Sequence, residues 1–437
     1  MRQILEELLV VAKLRGIDEA DVMAIDTRQD GVSARNGSIE KVGSCHNISV
    51  SLRLFRDMRK AQMATRDISE DGLKFLLEKT CEMLPYSSPD QANGLPPISL
   101  CQGKLKKLDL FDAAIHKLTR DDHMQMTCAM ERAAVGHDSR IKTIRESQSS
   151  SRTSVISYLS THGIYRAYRA SRVSLSIEPV AEDKSGMQTD GWYGTARHLS
   201  NLDSPDEIGK IAAVRALRKL GGKKVETQIT PVVLDPEVSA EFIKTVAGAI
   251  SGEAIYRKTS FLHGKIGTRI ASSLLTIRDN ATMPRGLGSH PFDSEGVVSG
   301  PATTLINDGF LSSYILDSYS ARRLDMTTTG HAGGISNLYL EADTHTPEEI
   351  MASVERGLYV TEFYGHGINL LTGDFSMGAK GLWIDRGTFA YPVQEITVAG
   401  NLKNMLMDIE MVGNDLTFRS QVSAPTIKIS KMMVAGS

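Results

Sequence analysis

Three histidines lie in glycine-rich surroundings that suit a site: His290 in GSHPFDSEG, His331 in TTGHAGG and His366 in YGHG. Three neutral imidazoles can hold a metal ion, and Asp293, Glu295 or Asp374 could act beside them as general bases. Each histidine equally suits a loop in which the ring bonds to backbone, because spacing alone sets no distance. His366 is bordered directly by Gly365 and Gly367, so a ligand's backbone can approach it from both sides. The same arrangement also suits a tight turn.

Several chemistries are excluded by motif. None of the 11 histidines is followed by Glu, so no HExxH or HExxxH helix sets two imidazoles and a carboxylate on one face around zinc. No GxSxG, P-loop or Rossmann fingerprint occurs. No cysteine follows Cys128, which removes a thiolate ligand or nucleophile from the C-terminal half. The four cysteines, Cys45, Cys81, Cys101 and Cys128, form no CxxC pair and read as reduced thiols.

The elements that must position these residues fall into two parts. Ile4, Leu5, Leu8, Leu9 and Ala12 share one helical face ended by Gly16. Ala20 to Thr27, Gly31 to Lys41 around Asn36-Gly37, Asn47 to Phe55 and Arg59 to Thr65 read as an antiparallel meander, closed by a helix from Ser69 to Leu84. Pro85 to Pro97 is a linker. A helix is predicted from about Leu108 to Ala134, then strands, including Thr161 to Pro179 with Arg166, Arg169 and Arg172 interleaved with Tyr165 and Tyr168. Ser204-Pro205 with Glu207 opens a helix stopped by Gly221-Gly222.

After that boundary come a strand from Val225 to Leu234, a helix from Pro236 to about Ala249, and strands from Leu274 onward. These include a hairpin at Asn307-Asp308-Gly309. Thr346-Pro347-Glu348-Glu349 opens one more helix, which runs into the stretch Gly357 to Leu402, where eight of the 37 glycines punctuate apolar runs. The expected fold is α+β and rich in antiparallel sheet. The expected domains are an N-terminal α+β domain, 1–221, with parts 1–84 and 98–221 around the linker 85–97, and a β-rich C-terminal domain, 222–437.

Composition narrows the partners. At 437 residues, 41% hydrophobic and 23% charged, the chain is globular and longer than one ordinary core. Lys and Arg number 50 against 52 Asp and Glu, a net charge of -2, so no direct nucleic-acid binding is expected. The start, MRQILEELLVVAKLRG, is broken by Glu6, Glu7 and Lys13 and reads as neither signal peptide nor membrane span. A cytoplasmic location without membrane contact is expected.

Seven segments carry a resemblance: SFLHGKIG (Ser260 to Gly267), PFDSEGV (Pro291 to Val297), DGFLSSYILDSYSARRL (Asp308 to Leu324), TTGHAGG (Thr328 to Gly334), TGDFSMGAKGLWI (Thr372 to Ile384), YPVQEITVAGNL (Tyr391 to Leu402) and VGNDL (Val412 to Leu416). In this order they resemble the TldD/PmbA family, also called modulator of DNA gyrase, and most closely its PmbA (TldE) branch. The resemblance extends over nearly the whole chain. It implies a proteolytic machine in which a TldD subunit pairs with a TldE subunit. The TldD subunit carries an HExxxH zinc helix and a C-terminal cysteine ligand, and cleaves unfolded or extended peptides, including leader peptides and an antitoxin.

In this chain the corresponding helix, Phe242 to Tyr256 (FIKTVAGAISGEAIY), has no histidine, and the C-terminal cysteine is missing, as in the TldE branch. The resemblance therefore implies a non-catalytic, substrate-positioning subunit that binds no cofactor itself, with zinc on a TldD-like partner. A peptide substrate and, for the chain alone, a homodimer are the further expected partners. His290, His331, Gly365, His366, Gly367 and Asp374 are the expected substrate or subunit contacts. Two alternatives stand beside this: a self-sufficient metal-dependent peptidase using His290, His331 or His366, and a regulator of a DNA-related target.

Overall fold

The computed structural model describes residues 1–436. Its first sheet is built from β1 (Glu19–Arg35), β2 (Ser38–Arg56), β3 (Arg59–Thr65), β4 (Ile141–Ser160), β5 (Tyr165–Asp183), β6 (Gly186–Thr189) and β7 (Trp192–Ala196). They run in the order β3-β2-β1-β4-β5-β6, with β7 also on β5, and every pairing is antiparallel. Four shorter segments were expected where β1 to β3 stand. The breaks expected at 28–30 and 42–46 lie inside β1 and β2, and Gly31, expected to open a segment, sits inside β1. A Cβ there would come 2.8 Å from Ser149 O of β4, so this glycine serves close strand approach.

One face of this sheet is covered by helices. Leu5, Leu8, Leu9 and Ala12 of the first helix pack on Ala20, Val22 and Ala24 of β1 and Val50, Leu52 and Leu54 of β2. Farther along, Met130 and Ala134 join Ile208, Ala212 and Ala216 over Ile144, Leu175 and Ile177. The expected single helix from about Leu108 to Ala134 is two, Ala113–His116 and Arg120–His137. Thr119 breaks it by forming a reciprocal capping box with Asp122, whose N–H and carboxylate both bond back to Thr119.

The C-terminal part holds two further sheets. The first, in the order β11-β10-β9-β12-β17, joins β9 (Ile277–Asp279), β10 (Thr303–Asn307), β11 (Phe310–Leu311), β12 (Leu338–Leu340) and β17 (Val422–Ser423). These strands have two to five residues and are joined by long loops, while the longer strands of the strand-dominated C-terminal region belong to the other sheet. The other sheet contains β8 (Gln228–Leu234), β13 (Arg356–Tyr364), β14 (Asp374–Asp385), β15 (Thr388–Asn401), β16 (Ile409–Val412) and β18 (Ile427–Ala435). Its order is β15-β14-β13-β8-β18-β16, and β15 also pairs with β18, closing β8, β13, β14, β15 and β18 into a ring without free edges. The glycine-rich stretch is thus mostly β13 to β15. The fold is α+β and antiparallel-rich, with β8–β13 and β12–β17 as parallel pairings among the named strands.

One pairing unites the long sheet, and two features fix it against the C-terminal part. β1 and β4, before and after the proline-rich stretch 85–97, are neighbours over fourteen pairs from Asp21↔Ser160 to Ala34↔Ser147, so 1–84 and 98–221 share one sheet. The stretch 85–97 is itself fastened: Arg322 donates to the carbonyls of Ala92, Gly94 and Leu95, and Asp90 accepts from Tyr319 Oη at 2.9 Å. Arg53 on β2 bonds Asp21 on β1 through Nε at 2.8 Å and reaches Glu295 of the C-terminal part through Nη1 at 3.1 Å. Tyr158 Oη adds a bond to Asp21 at 3.0 Å, and Ser318 N–H donates to the other oxygen of Glu295. Among the described residues no helix is long and apolar enough to cross a membrane.

Removing one partner of a buried ion pair strands the other charge, which costs about 3 to 5 kcal/mol. Arg53→Ala leaves Asp21 and Glu295 buried and facing each other, so its unfolding free energy in urea is expected to fall by that amount. A loss below 1 kcal/mol would show that the bridge does not hold the two parts together.

Candidate functional site

The sequence-selected residues fall into two groups. His290 and the loop of His331 meet beside the long sheet. Gly365, His366 and Gly367 belong to the turn between β13 and β14, and Asp374 opens β14. Between the groups lie the helices Pro236–Ala249 and Gly252–Tyr256. On one side Gly248 approaches Leu370 of the β13–β14 turn; on the other Gly252 N–H donates to Ile315 O, just before Leu316 and the His331 loop.

His331 is buried and bonded through both ring nitrogens. Nε2 donates to Asp279 Oδ2 at 3.1 Å, and Nδ1 pairs with the Thr329 hydroxyl at 2.9 Å. Asp279 also accepts from Ser336 N–H at 2.8 Å, so this β9 carboxylate holds both arms of the 328–336 loop. Asp293 does similar work from the other side: it accepts from the N–H groups of Glu295 and Val297, each at 2.9 Å, and from Ala332 at 3.1 Å. Its oxygens are engaged by backbone, and Glu295 is engaged by Arg53, so neither carboxylate suggested as a general base is free for that role.

His290 differs from its neighbours. Nδ1 donates to Gly288 O at 3.0 Å, while the buried Nε2 makes no hydrogen bond. Burial lowers its pKa, so the ring is neutral at pH 7 and Nε2 carries a lone pair. This imidazole lines a cavity of about 230 Å³. The long sheet supplies Met23, Ile25, Ile156 and Tyr168, and the C-terminal loops supply Phe292, Ser294, Gly333 and Gly334. Of the arginines interleaved on β5, Arg166 donates to Cys101 O and Gly103 O and Arg172 to Leu287 O, while Arg169 stacks on Phe111.

The second group is on the surface. His366 is exposed. Gly367 is packed so closely on β14 that a Cβ would lie 1.6 Å from Ser376 O, and its carbonyl accepts from Ser376 N–H at 2.7 Å. Asp374 accepts from the Thr372 hydroxyl at 2.6 Å and from Asn401 Nδ2 at 3.1 Å, and these bonds hold its carboxyl below the usual range. None of Gly365, His366, Gly367 or Asp374 lines the cavity of His290.

The helices between the two groups offer a metal no imidazole or thiol, only the carboxylates of Glu237, Glu241 and Glu253. Val238, Phe242, Ile243, Val246, Ala247 and Ala249 are buried, and their sequence bears no imidazole or thiol. Among the described residues no group of three or more His, Cys, Asp or Glu side chains is placed to hold a metal ion. The residues at this position do not fit a zinc ion. Asp279, Arg53 and the sheet residues of the cavity carried no local motif. The only sequence sign for Asp279 is a charge ending the apolar run LLTIRDN.

An open antiparallel sheet bound to a closed barrel through glycine-rich loops is an architecture with solved examples. The crystal structure of a candidate modulator of DNA gyrase from Bacteroides thetaiotaomicron superposes with a TM-score of 0.93 at 26% identity, covering 100% of this chain and 99% of that one. TldE from Thermococcus kodakarensis shares the fold with a TM-score of 0.88 at 20% identity, over 99% and 100%. The chain belongs to the PmbA/TldD metallopeptidase family. Residues 116–220 match the PmbA/TldA metallopeptidase central domain and residues 227–436 its C-terminal domain. Metalloprotease PmbA of Escherichia coli O157:H7 is 34% identical over 438 residues, covering 100% of this chain and 97% of that protein.

Burial and the neighbouring Glu295 push the Asp293 carboxyl up to about 7, against the pull of its three N–H donors. An unfolded aspartate titrates near 3.8. Between those values the folded chain keeps a proton that the unfolded chain has lost. The stability from this group is therefore fully present below about pH 4 and is lost as pH rises through about 7. Asp293→Asn should flatten that part of the urea-midpoint profile between pH 4 and 8. An unchanged slope would assign the profile to other groups.

Proposed function

We propose that this chain is a non-catalytic, substrate-positioning subunit of a TldD/TldE-type zinc metallopeptidase. A TldD-like partner would supply the zinc, and the pair would cleave extended or unfolded peptides in proteolysis, peptide maturation and antitoxin turnover in the cytoplasm. One observation carries this reading. Where the resemblance places the zinc helix, the chain buries Phe242, Ile243, Val246 and Ala247 and has no imidazole or thiol side chain.

A zinc peptidase needs a polarising metal, an activated water and a groove that holds the substrate backbone extended. Only the last is within this chain's means. Glycine-bordered backbone offers N–H and C=O groups to a peptide, with side-chain space left open. In this reading His366, Gly365, Gly367 and Asp374 contact substrate or partner at the β13–β14 turn. His290 does so at the cavity, and His331 acts through the loop it anchors.

The alternative of a self-sufficient metal site has one observation in its favour, the unbonded Nε2 of His290. Against it, His331 is engaged by Asp279 and Thr329, and Asp293 by three N–H groups, which leaves one ligand atom where a stable site needs three or more.

Zinc content and cleavage of an unfolded polypeptide separate the readings. The chain alone should carry no stoichiometric zinc and cleave nothing. Mixed with an HExxxH-bearing TldD-like chain it should support cleavage, and His366→Ala should lower that rate several-fold while pairing persists. Stoichiometric zinc with cleavage by the isolated chain would overturn the proposal.

A further inference from the structure

The first helix, Arg2–Leu14, carries more apolar surface than the fold covers. Ile4, Leu5, Leu8, Leu9, Val10, Val11, Ala12 and Leu14 spread round well over half of its circumference, whereas a helix packed on a core needs one apolar stripe. Leu5, Leu8, Leu9 and Ala12 pack on the sheet. Val10 remains 59% exposed, Val11 40% and Leu14 81%. Beside them a groove of about 550 Å³ runs between this helix and the helix Glu70–Met83, with Ile4, Leu8, Val11, Ile68, Leu73 and Leu77 as its apolar walls. Contiguous apolar surface of this kind marks a docking face, unlike single scattered side chains.

The charges on the rim select the occupant. Glu7, Arg15, Glu70 and Lys74 line the groove, two of each sign, so nothing draws it toward an anionic membrane or a partner of one strong charge. Along the first helix the charges are arranged symmetrically. Glu7 and Arg15 stand four residues before and four after Val11, and all three face the groove. A second copy of the helix laid antiparallel across Val11 sets Glu7 of each copy beside Arg15 of the other, and Leu14 of each over Leu8 of the other. A parallel copy would set like charges together, which is unfavourable. Arg15 already meets Glu78 of its own chain at 3.2 Å, and its side chain stays 38% exposed and open to a second carboxylate.

We propose that this groove is a homodimer surface, in which the first helices of two copies pack antiparallel about a two-fold axis at Val11 and the two Glu70–Met83 helices flank them as a four-helix bundle. Such a contact is self-complementary, because each copy supplies both the ridge of Val10 and Leu14 and the groove that receives it. The surface goes beyond the subunit role and does not depend on it. Ala20, Val22 and Ala24, on which the first helix packs, alternate along β1 with Met23 and Ile25 of the His290 cavity. The dimer face and that cavity therefore lie on opposite faces of the long sheet, and pairing leaves the cavity open.

The test is sedimentation equilibrium on the purified full-length chain alone, up to about 0.1 mM, where a reversible monomer–dimer equilibrium is expected. Leu14→Glu alters a side chain that its own chain barely covers, and it should weaken the dimer at least about tenfold. Glu7→Arg and Arg15→Glu should each weaken it as well, because each sets like charges together at both ends of the contact. Mixing those two variants should restore the dimer, since the mixed pair again brings opposite charges together. The wild-type measurement and the exposure of Leu14 keep the test independent of variant folding. A wild-type chain that stays monomeric would overturn the proposal, whether it then binds phosphatidylglycerol vesicles through this face or pairs there only with a TldD-like chain. A dimer that Leu14→Glu leaves intact, or a mixture of the two charge variants that stays monomeric, would overturn it equally.

Discussion

One buried guanidinium holds the arrangement of the molecule. Arg53 leaves water almost entirely, with its side chain 15% exposed beside Asp21 at 4% and Glu295 at 6%. Burial alone would lower its pKa, but the two carboxylates reverse that and keep it charged. An isolated buried charge is intolerable, so the long sheet and the C-terminal loop must meet at the one distance that satisfies all three groups. Tyr158, bonded to Asp21 and packed near Phe292, extends the same contact into the wall of the seam. Everything that lies between sheet and loops inherits its geometry from this pairing.

Local chemistry was legible in the sequence because it acts over three or four residues. Thr346 and Glu349 form the reciprocal cap, Asp235 caps a helix from Pro236 to Ala249, and Asp308-Gly309 turns the β10–β11 hairpin through two left-handed residues. Where sequence reading failed, a distant partner decided one outcome and an unnoticed local cap the other. Gly31 reads as a break until β4 lies beside it. Thr119 interrupts a helical pattern that continues on both sides, because its hydroxyl competes for the N–H of Asp122.

The site was legible as residue types and hidden as roles. His290 and His331 stand in similar glycine-rich loops, yet His331 is a fastener and His290 keeps a free nitrogen. What separates them is Asp279, which reaches His331 only because β9 pairs with β12, and the 328–336 loop ends next to β12. The cavity joins residues near positions 25, 156 and 168 to others near 290 and 334. No periodicity within a single element could announce that meeting.

Closure of the ring has a consequence in time. β8 is among the first strands of the C-terminal part to leave the ribosome, yet its antiparallel neighbour β18 follows all of β9 to β17, and β15 likewise waits for it. Contacts that distant in sequence form slowly, and a strand edge left unpaired during synthesis invites the wrong neighbour. A nascent chain halted before Ile427 would therefore carry nearly every loop of the site and still lack the strand that closes the ring. Ring closure acts as a completeness check, because only a chain synthesised past β18 can seal the barrel to which the loops are anchored.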